Sequence, residues 1–213
     1  GIVNGLQYYV YTAATTTLAS VTDSGSGAIV GQDIGFIDGR FVISIVDSQK
    51  FFITAVNAAQ TVAATDNADV IANPDNLAGL LVADRRIWFF GTSSFDVYFD
   101  SQQAAAAGNF PMIRIDGAAK NGYGLASLYG KVVQDGIPYW CSNDGRIYRG
   151  NGHTPERISN YGIENTLRKY SKISDCQATQ WTENGHRMVQ FSFPAGGESW
   201  VFDATEGMWH QRS

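Results

Sequence analysis

The amino-acid sequence predicts an all-β fold: a β-propeller-like array of about four antiparallel four-stranded blades, with one short helix. The main observation is a repeat. Four times a polar turn leads into a strand rich in aromatic and β-branched residues, and these segments begin at Asp38, Asp84, Asp135 and Gly185. Successive starts lie 46, 51 and 50 residues apart. Self-similarity with a period of this size is typical of architectures built blade by blade from β-strands.

The composition supports the same fold class. Of 213 residues, 23 are glycine, 13% are aromatic and only 16% are charged. Such values indicate many strands joined by tight turns, and they argue against a disordered tail or a coiled coil. The length suits one bladed β domain spanning residues 1–213. The chain opens on Gly1 and ends just after a strand pattern, so we interpret it as a central fragment of a longer protein.

Charge and hydropathy argue against two classes of binding partner, nucleic acids and membranes. The formal net charge is −5 and the sequence pI is about 5.1, which disfavours a broad electrostatic surface for nucleic acid or for an anionic membrane. The longest apolar runs fall short of the roughly 20 residues that a membrane-spanning helix needs. We therefore expect no membrane association and no sequence-specific binding of nucleic acid.

The first half of the chain shows strand patterns separated by turn residues. The dipeptide Asp38-Gly39 is a strong hairpin signal. The stretch Val56–Asn76 is polar and weakly patterned, and it is predicted to be a surface loop closed by a turn at residues 73–76. An alanine-rich loop is predicted at Ala104–Ala107. Strands are predicted at residues 6–12 (paired with 13–21), 34–37, 41–46, 51–54, 80–82, 87–90, 95–99 and from 110.

The second half continues the strand pattern and contains the one predicted helix. Asn160 can cap this helix, and Ile163, Leu167 and Tyr170 fall on one of its faces, which gives about ten helical residues. Strands are predicted at residues 125–133, 139–142, 147–149, 175–181, 188–193, 199–202 and 208–211.

The sequence contains no arrangement of metal ligands or nucleophiles that would indicate chemistry. The three histidines lie in separate segments without metal-ligand spacing: His153, His186 and His210. Cys141 and Cys176 lack CxxC spacing, so we expect two free thiols. The chain has no G-x-S-x-G turn, and the glycine-rich stretch that begins at Gly117 lacks the residue order of a phosphate-binding loop. We therefore expect no metal and no cofactor.

Carboxylates are the stronger candidates for catalysis. Four acids in or beside turns could converge at the mouth of a propeller channel: Asp38, Asp84, Asp135 and Asp203. Glycoside hydrolysis needs two carboxyl groups about 5 Å or about 6.5–9.5 Å apart, and sequence does not give that distance. Acids at strand starts more often accept hydrogen bonds from their own backbone. We therefore expect these four acids to be turn formers and the protein not to be an enzyme.

The tryptophans raise a second possibility, the stacking of sugars on exposed indole rings. The chain has five of them: Trp88, Trp140, Trp181, Trp200 and Trp209. Four lie in or beside apolar strands, where the packing of blades requires bulky side chains. Trp209 is the one we expect nearest the surface.

Several segments of the chain resemble one known family. The strongest are Arg86-Ile-Trp-Phe-Phe-Gly, Asp96-Val-Tyr-Phe-Asp-Ser, Phe110-Pro-Met-Ile-Arg-Ile-Asp-Gly-Ala, Ile147-Tyr-Arg-Gly-Asn-Gly-His-Thr-Pro-Glu-Arg-Ile-Ser and the stretch from Phe193 to Arg212. In their order and co-occurrence they resemble the packaged-DNA stabilisation protein of short-tailed bacteriophages, also called a tail accessory factor or tail hub protein. The resemblance covers nearly the whole chain and is weakest before residue 34.

This resemblance implies a non-enzymatic structural protein of the virion, assembled in the cytoplasm of the bacterial host. It implies a head-to-tail hub that binds the portal ring, helps to retain packaged DNA and connects the tail needle and the tailspikes or fibres. It also implies several copies in a symmetric ring. No partner-binding residue follows from the resemblance. We expect partner contacts in the long loops, at Asn57–Asp75 and at Ala104–Asn109.

A different class of function stays open at this point. The same bladed scaffold could be a propeller-like receptor-binding or carbohydrate-binding domain of a phage tail fibre. Binding of glycans by the isolated domain would favour that class, whereas binding to the portal would favour the hub.

Overall fold

The computed structural model describes residues 1–25, 27–70, 72–103 and 110–212. These residues form an antiparallel all-β protein with one short helix, which confirms the predicted fold class. The strands are β1 (Ile2–Val3), β2 (Tyr8–Thr12), β3 (Thr17–Val21), β4 (Gly31–Ile37), β5 (Arg40–Ile45), β6 (Lys50–Ile53), β7 (Asn67–Asp69), β8 (Leu77–Ala83), β9 (Arg86–Gly91), β10 (Ser94–Asp100), β11 (Met112–Arg114), β12 (Lys120–Asn121), β13 (Lys131–Gln134), β14 (Ile137–Cys141), β15 (Ile147–Asn151), β16 (Thr154–Arg157), β17 (Gln177–Glu183), β18 (His186–Phe193), β19 (Glu198–Asp203) and β20 (Met208–Arg212). The helix α1 spans Tyr161–Leu167.

The chain divides into two compact units. The first comprises Gly1–Gly91 with Phe95–Ala119, and the second comprises Thr92–Ser94 with Lys120–Ser213. In the first unit, antiparallel sheets follow the chain in the orders β1–β2–β3, β4–β5–β6–β7 and β8–β9–β10–β11. In the second unit, the sheets are β13–β14–β15–β16 and β17–β18–β19–β20. Apart from the short strand β12, each sheet is a meander, so its strands are paired in the order in which the chain supplies them.

The 46-to-51-residue repeat corresponds to one particular hairpin. In four sheets, the turn between the first and second strands has two consecutive residues with positive φ. These pairs are Asp38-Gly39 (46°, 81°), Asp84-Arg85 (47°, 55°), Asp135-Gly136 (51°, 75°) and Asn184-Gly185 (50°, 84°). Two left-handed residues in a two-residue loop form a type I′ turn, whose twist matches that of the strands. The repeat therefore marks the first hairpin of each of these sheets.

The core of the first unit is aromatic. The Phe51 ring lies 4.4 Å from that of Phe89 and 5.8 Å from that of Tyr98, centroid to centroid, and all three side chains are buried. These residues come from β6, β9 and β10, so the core lies between two neighbouring sheets. The sheets approach closely at Gly35, where a Cβ atom would lie 2.7 Å from side-chain atoms of Leu80 and Val82. A larger residue at position 35 would force the side chains of Leu80 and Val82 to shift.

The core of the second unit includes the helix. Asn160 caps α1 as predicted, since its Oδ1 accepts a hydrogen bond from the Ile163 amide at 3.0 Å. Ile163 and Leu167 are buried with apolar residues of β14 and β18. The helix has seven residues, so the prediction of about ten was too long. Tyr170 lies beyond its end and packs against Phe193, with the ring centroids 5.5 Å apart.

The structure corrects several predicted boundaries. The Val56–Asn76 stretch is not all loop, because it supplies β7, the outer strand of its sheet. Residues 125–130 precede β13 rather than forming part of it, and Gly130 accepts a hydrogen bond from the Cys141 amide instead. The strands that sequence missed are short and solvent-facing, and they lack the alternation of apolar residues that reveals a strand. These missed strands are β1, β7, β12 and β16.

Two further expectations concern loops and membranes. The predicted loops at Ala104–Ala107 and Ala104–Asn109 lie outside the described residues. In the part of the chain that the structure describes, no helix is long and apolar enough to cross a membrane.

Candidate functional site

The four acids considered for catalysis are engaged in turns and ion pairs. Asp38 contacts Arg85 with 3.0 Å between Oδ1 and Nη2. Asp84 contacts Arg86 at 3.3 Å, and Asp135 forms an ion pair with Arg187. Three of the acids occupy the first position of a type I′ turn. This supports the prediction that they are turn formers.

Both carboxylate oxygens of Asp203 make hydrogen bonds. Its Oδ2 lies 2.6 Å from Nδ1 of His186, and its Oδ1 accepts hydrogen bonds from the amides of Thr205 and Glu206. Burial raises the pKa of this carboxyl, but the hydrogen bonds from His186 and the two amides outweigh burial, so the pKa lies below its ordinary value. The group acts as an acceptor that closes the turn between β19 and β20.

The other two histidines do not join this pair in a metal site. Among residues 1–25, 27–70, 72–103 and 110–212, no group of three or more His, Cys, Asp and Glu side chains could hold a metal ion. The arrangement around Asp203 is therefore a hydrogen-bonded turn, and His153 and His210 lie elsewhere in the chain.

Two buried acids in β10 were not singled out from sequence. Asp100 is buried with Arg40, whose Nε lies 3.8 Å from its Oδ2 and whose Nη1 donates to the Thr54 carbonyl. Asp96 is only 1% exposed. Its Oδ1 accepts from the Val97 amide, whereas its Oδ2 has no hydrogen-bond partner among the described residues.

The surroundings of Asp96 change its acidity. Burial raises its pKa to about 6, although the Val97 amide and the charge of Arg114 act in the opposite direction. The Arg114 guanidinium is too far to neutralise the carboxylate fully, with Nε 4.0 Å from Oδ2. Side chains along β10 alternate between its two faces, and Asp96 lies on the same face as the core residue Tyr98. This alternation is the sequence signal that could have indicated that Asp96 is buried.

A third buried acid, Glu164, organises a cluster of arginines in the second unit. Its Oε1 accepts hydrogen bonds from Arg157 Nε at 2.6 Å and from Ser159 Oγ at 2.7 Å. Its Oε2 lies 3.7 Å from Arg146 Nε and 4.0 Å from Arg168 Nη2. We call these three arginines around Glu164 the arginine cluster. Its carboxylate is 2% exposed, while the arginines are 39–52% exposed.

The tryptophans do not form an exposed platform. Trp88 and Trp140 are buried, which confirms the packing role. Trp209 is half-buried, and its Nε1 donates to the Ile158 carbonyl at 2.8 Å. Trp200 donates to Tyr170, and Trp181 lies under the guanidinium of Arg212, 5.3 Å from its ring centroid.

The two cysteines are free and buried, as predicted, but the fold brings them together. Sγ of Cys141 donates to the Ser142 carbonyl at 3.9 Å, and the neighbouring Cys141 thiol together with burial raises the pKa of Cys176. Both side chains are fully enclosed in the core of the second unit. Thiols in such a setting are poor nucleophiles.

An open hollow lies between β13 and β17, with a volume of about 440 Å³. The side chain of Tyr129 in its lining is 68% exposed. Its charged group, Lys131, donates from Nζ to the Leu128 carbonyl. The hollow is lined by Leu128, Tyr129, Lys131, Gln177, Ala178 and Thr179.

Solved structures share the fold of this chain at low sequence identity. The chain is similar to the extracellular domain of BT4673 from B. thetaiotaomicron, with a TM-score of 0.56 and 11% identity over 96% of this chain and 27% of that chain. It is also similar to the computationally designed Ika8 protein (TM-score 0.52, 11% identity, 91% of this chain and 51% of that one). For apo AztD from Citrobacter koseri the TM-score is 0.50 at 11% identity, over 88% and 48%. The chain thus spans between about a quarter and a half of these relatives, and the likeness shows the fold alone.

Sequence comparison identifies the family. No curated protein matches the chain significantly. A family model described as "Bacteriophage P22 Gp10, beta-propeller" matches residues 1–212. This match confirms the resemblance that the segments between Arg86 and Arg212 indicated. Because it spans all but the last residue, the chain belongs to the phage stabilisation family, the beta-propeller family of bacteriophage P22 Gp10.

Proposed function

We propose that this chain is part of the head-to-tail hub of a phage virion, which binds the portal ring, helps to retain packaged DNA and connects other tail components. The observation that carries this proposal is the family match over residues 1–212, which makes the chain a tail protein that stabilises packaged DNA. A hub of this kind would contact the needle and the tailspike or fibre, and several copies would form a symmetric ring. It would assemble in the host cytoplasm and remain in the virion. Residues 1–213 would be a bladed central portion of a longer protein.

The structure supports a scaffold role. Its sheets pack through rings such as Phe51, Phe89 and Tyr98, which bury large areas and permit little movement. The four acids considered for catalysis are engaged in turns and ion pairs, so the arrangement favours a structural role over catalysis. A protein that holds a genome under pressure needs this kind of rigidity.

The segment Asn57–Asp75 is the best candidate for a partner contact in the first unit. It carries three acids and no basic residue, and Asp69 is exposed on the outer strand β7. Its neighbour Lys50 lies 3.9 Å from the Asp69 carboxylate, a weak surface pair. We therefore expect a partner with a basic surface. Deletion of this segment would remove β7 from its sheet, so substitution is the better test.

Sedimentation with assembled portal rings tests the hub. The wild-type protein is expected to sediment with the rings, and Asp69→Lys is expected to weaken this binding at least several-fold. Asp116→Lys is the matched control, because Asp116 is fully exposed and outside the segment. If wild-type protein stays in the supernatant, the portal-binding role is wrong. If both variants bind as wild type does, Asp69 is not at the interface.

One observation favours the second candidate, a carbohydrate-binding domain of a tail fibre. Tyr129 presents an exposed ring in the hollow between β13 and β17, beside the polar side chains of Gln177 and Thr179. Sugars stack on rings in such settings. A glycan array probed with the wild-type chain and with Tyr129→Ala tests it. Binding that Tyr129→Ala abolishes would support this candidate, and an array without signal would reject it.

A further inference from the structure

The arginine cluster holds more positive charge than its buried acid needs. Three guanidinium groups face one carboxylate, Glu164, and only Arg157 is within hydrogen-bond distance of it. Arg146 is additionally paired with Asp144, whose Oδ2 accepts from Nη1 at 2.8 Å. With both acids counted, the cluster retains one positive charge. Its three arginines remain between 39% and 52% exposed.

The surrounding sequence adds to this excess. Residues 144–172 contain six basic and three acidic residues, a net charge of +3 in a chain of net charge −5. The other residues therefore sum to −8. Lys169 and Lys172 follow the helix directly, are exposed, and form no ion pair within the described ranges. A concentration of positive charge in an otherwise acidic protein indicates a partner that is itself an anion.

Arg168 is the member of the cluster best placed to reach a ligand. It is the most exposed of the three arginines, at 52%, and its contact with Glu164 is long, with 4.0 Å between Nη2 and Oε2. It caps the C-terminal end of α1. The planar guanidinium group suits bidentate contacts with phosphate oxygens. The buried Glu164 holds the arginine side chains in place before a ligand binds. Less of their conformational entropy is therefore lost on binding.

We propose that the arginine cluster binds the phosphate backbone of double-stranded DNA without regard to its sequence. This proposal rests on the proposed role in retaining the packaged genome, and it assigns that role a contact. Phosphate is favoured over an acidic protein because the family stabilises packaged DNA, so a dense polyphosphate surface is present where the protein works. A small patch on a chain of net charge −5 should bind weakly and with a strong dependence on salt.

Fluorescence anisotropy with a labelled duplex of about 30 base pairs provides the test, repeated with a second duplex of unrelated sequence. For wild-type protein we expect a Kd on the order of 10⁻⁵ M at low salt, equal for both duplexes. Arg168→Ala should weaken binding about ten-fold and reduce the slope of log K against log salt by about 1, the loss of one phosphate contact. Lys120→Ala, which also removes one positive charge but lies outside residues 144–172, should leave both values unchanged.

In the anisotropy experiment, any of three results would overturn the proposal: no binding by wild-type protein at 50 mM salt, a clear preference for one duplex, or equal loss of binding in Arg168→Ala and Lys120→Ala. Arg157 is not substituted, because it anchors Glu164. Thermal unfolding shows whether Arg168→Ala is folded. Lys169→Ala is a second variant, because its side chain makes none of the contacts within the cluster, and it too should weaken DNA binding and reduce the salt slope. Sedimentation with portal rings separates this proposal from the hub, because Arg168→Ala should still bind the portal. If Arg168→Ala loses portal binding and keeps DNA binding, the cluster is a protein interface and the DNA proposal is wrong.

Discussion

The guanidinium group of Arg85 lies 3.0 Å from the carboxylate of Asp38, and each residue occupies a type I′ turn in neighbouring sheets of the first unit. The second unit repeats the arrangement, because Asp135 in the first turn of one sheet pairs with Arg187 beside the corresponding turn of the next. The positions that generate the sequence repeat are therefore also positions where successive sheets contact each other. Asp38 and Asp135 therefore both form turns and connect neighbouring sheets.

We expect Asp38→Asn to weaken the contact between these sheets modestly. Asparagine tolerates positive φ, so the turn should persist while the ion pair with Arg85 is lost. Arg85 is 69% exposed, and a pair so exposed contributes about 0.2–1 kcal/mol to the free energy of unfolding. Urea unfolding of wild type, Asp38→Asn, Arg85→Ala and the double variant should show this coupling at low salt and not in 1 M NaCl. Coupling that persists in high salt would contradict an electrostatic origin.

Asp96→Asn should stabilise the protein at neutral pH. Because the folded-state pKa is raised from 3.8 to about 6, the folded state holds a proton that the unfolded state releases between those values. Asp96 therefore contributes fully to the free energy of unfolding below about pH 4, and this contribution is lost as the pH rises through about 6. The loss is at most about 3 kcal/mol, from about 1.4 kcal/mol for each pKa unit. We expect the free energy of unfolding, measured from pH 4 to 7, to be larger for Asp96→Asn than for wild type, by an amount that grows up to about pH 6.

Asp100→Asn provides the control for this experiment, since both acids are buried in β10. Here the substitution leaves the buried Arg40 without its countercharge, so we expect a loss of about 3 kcal/mol. Opposite signs for the two variants at pH 7 would support the distinction between an unpaired and a paired acid. A difference between Asp96→Asn and wild type that does not vary with pH would contradict the assignment.

Glu164→Gln should destabilise the second unit strongly. The carboxylate is buried under three arginines and accepts from Ser159, so removing its charge leaves the guanidinium groups to repel one another. We expect a loss of about 2–4 kcal/mol, below the range for fully buried pairs because the arginines are half-exposed. Glu156→Gln is the matched control, since Glu156 pairs with Arg149 at the surface and should cost less than about 1 kcal/mol. Similar losses in both would show that Glu164 has no special role.

The two cysteines should be unreactive in the native protein. Both thiols are fully buried, and the pKa of Cys176 is raised, so little thiolate is available to a reagent. Titration with a chromogenic disulfide at pH 8 should detect almost no thiol in buffer and two per chain in denaturant. Rapid reaction of either thiol before unfolding would show that the core of the second unit opens easily.

Several features of this protein followed from local sequence. The type I′ turns were predictable because Asp-Gly, with its tolerance of positive φ, precedes an alternating apolar strand at Asp38 and again at Asp135. The helix cap at Asn160 and the buried face of Ile163 and Leu167 were predictable for the same reason, since neighbours within one turn determine them. The family was likewise recognisable from ordered segments, and the match over residues 1–212 confirmed it.

The candidate sites were decided by tertiary structure instead. Glu164 is one of five glutamates in the sequence, and nothing near it in the chain shows that Arg146 and Arg157 will face its carboxylate. Likewise, Cys141 and Cys176 lie 35 residues apart with no motif, yet both are buried in the same core cluster. Sequence by itself determined the longer strands, the type I′ turns and the family, because these depend on local backbone preferences and ordered patterns. Only the folded chain decided which charges are buried and which partners they meet, because burial and pairing depend on contacts between distant segments.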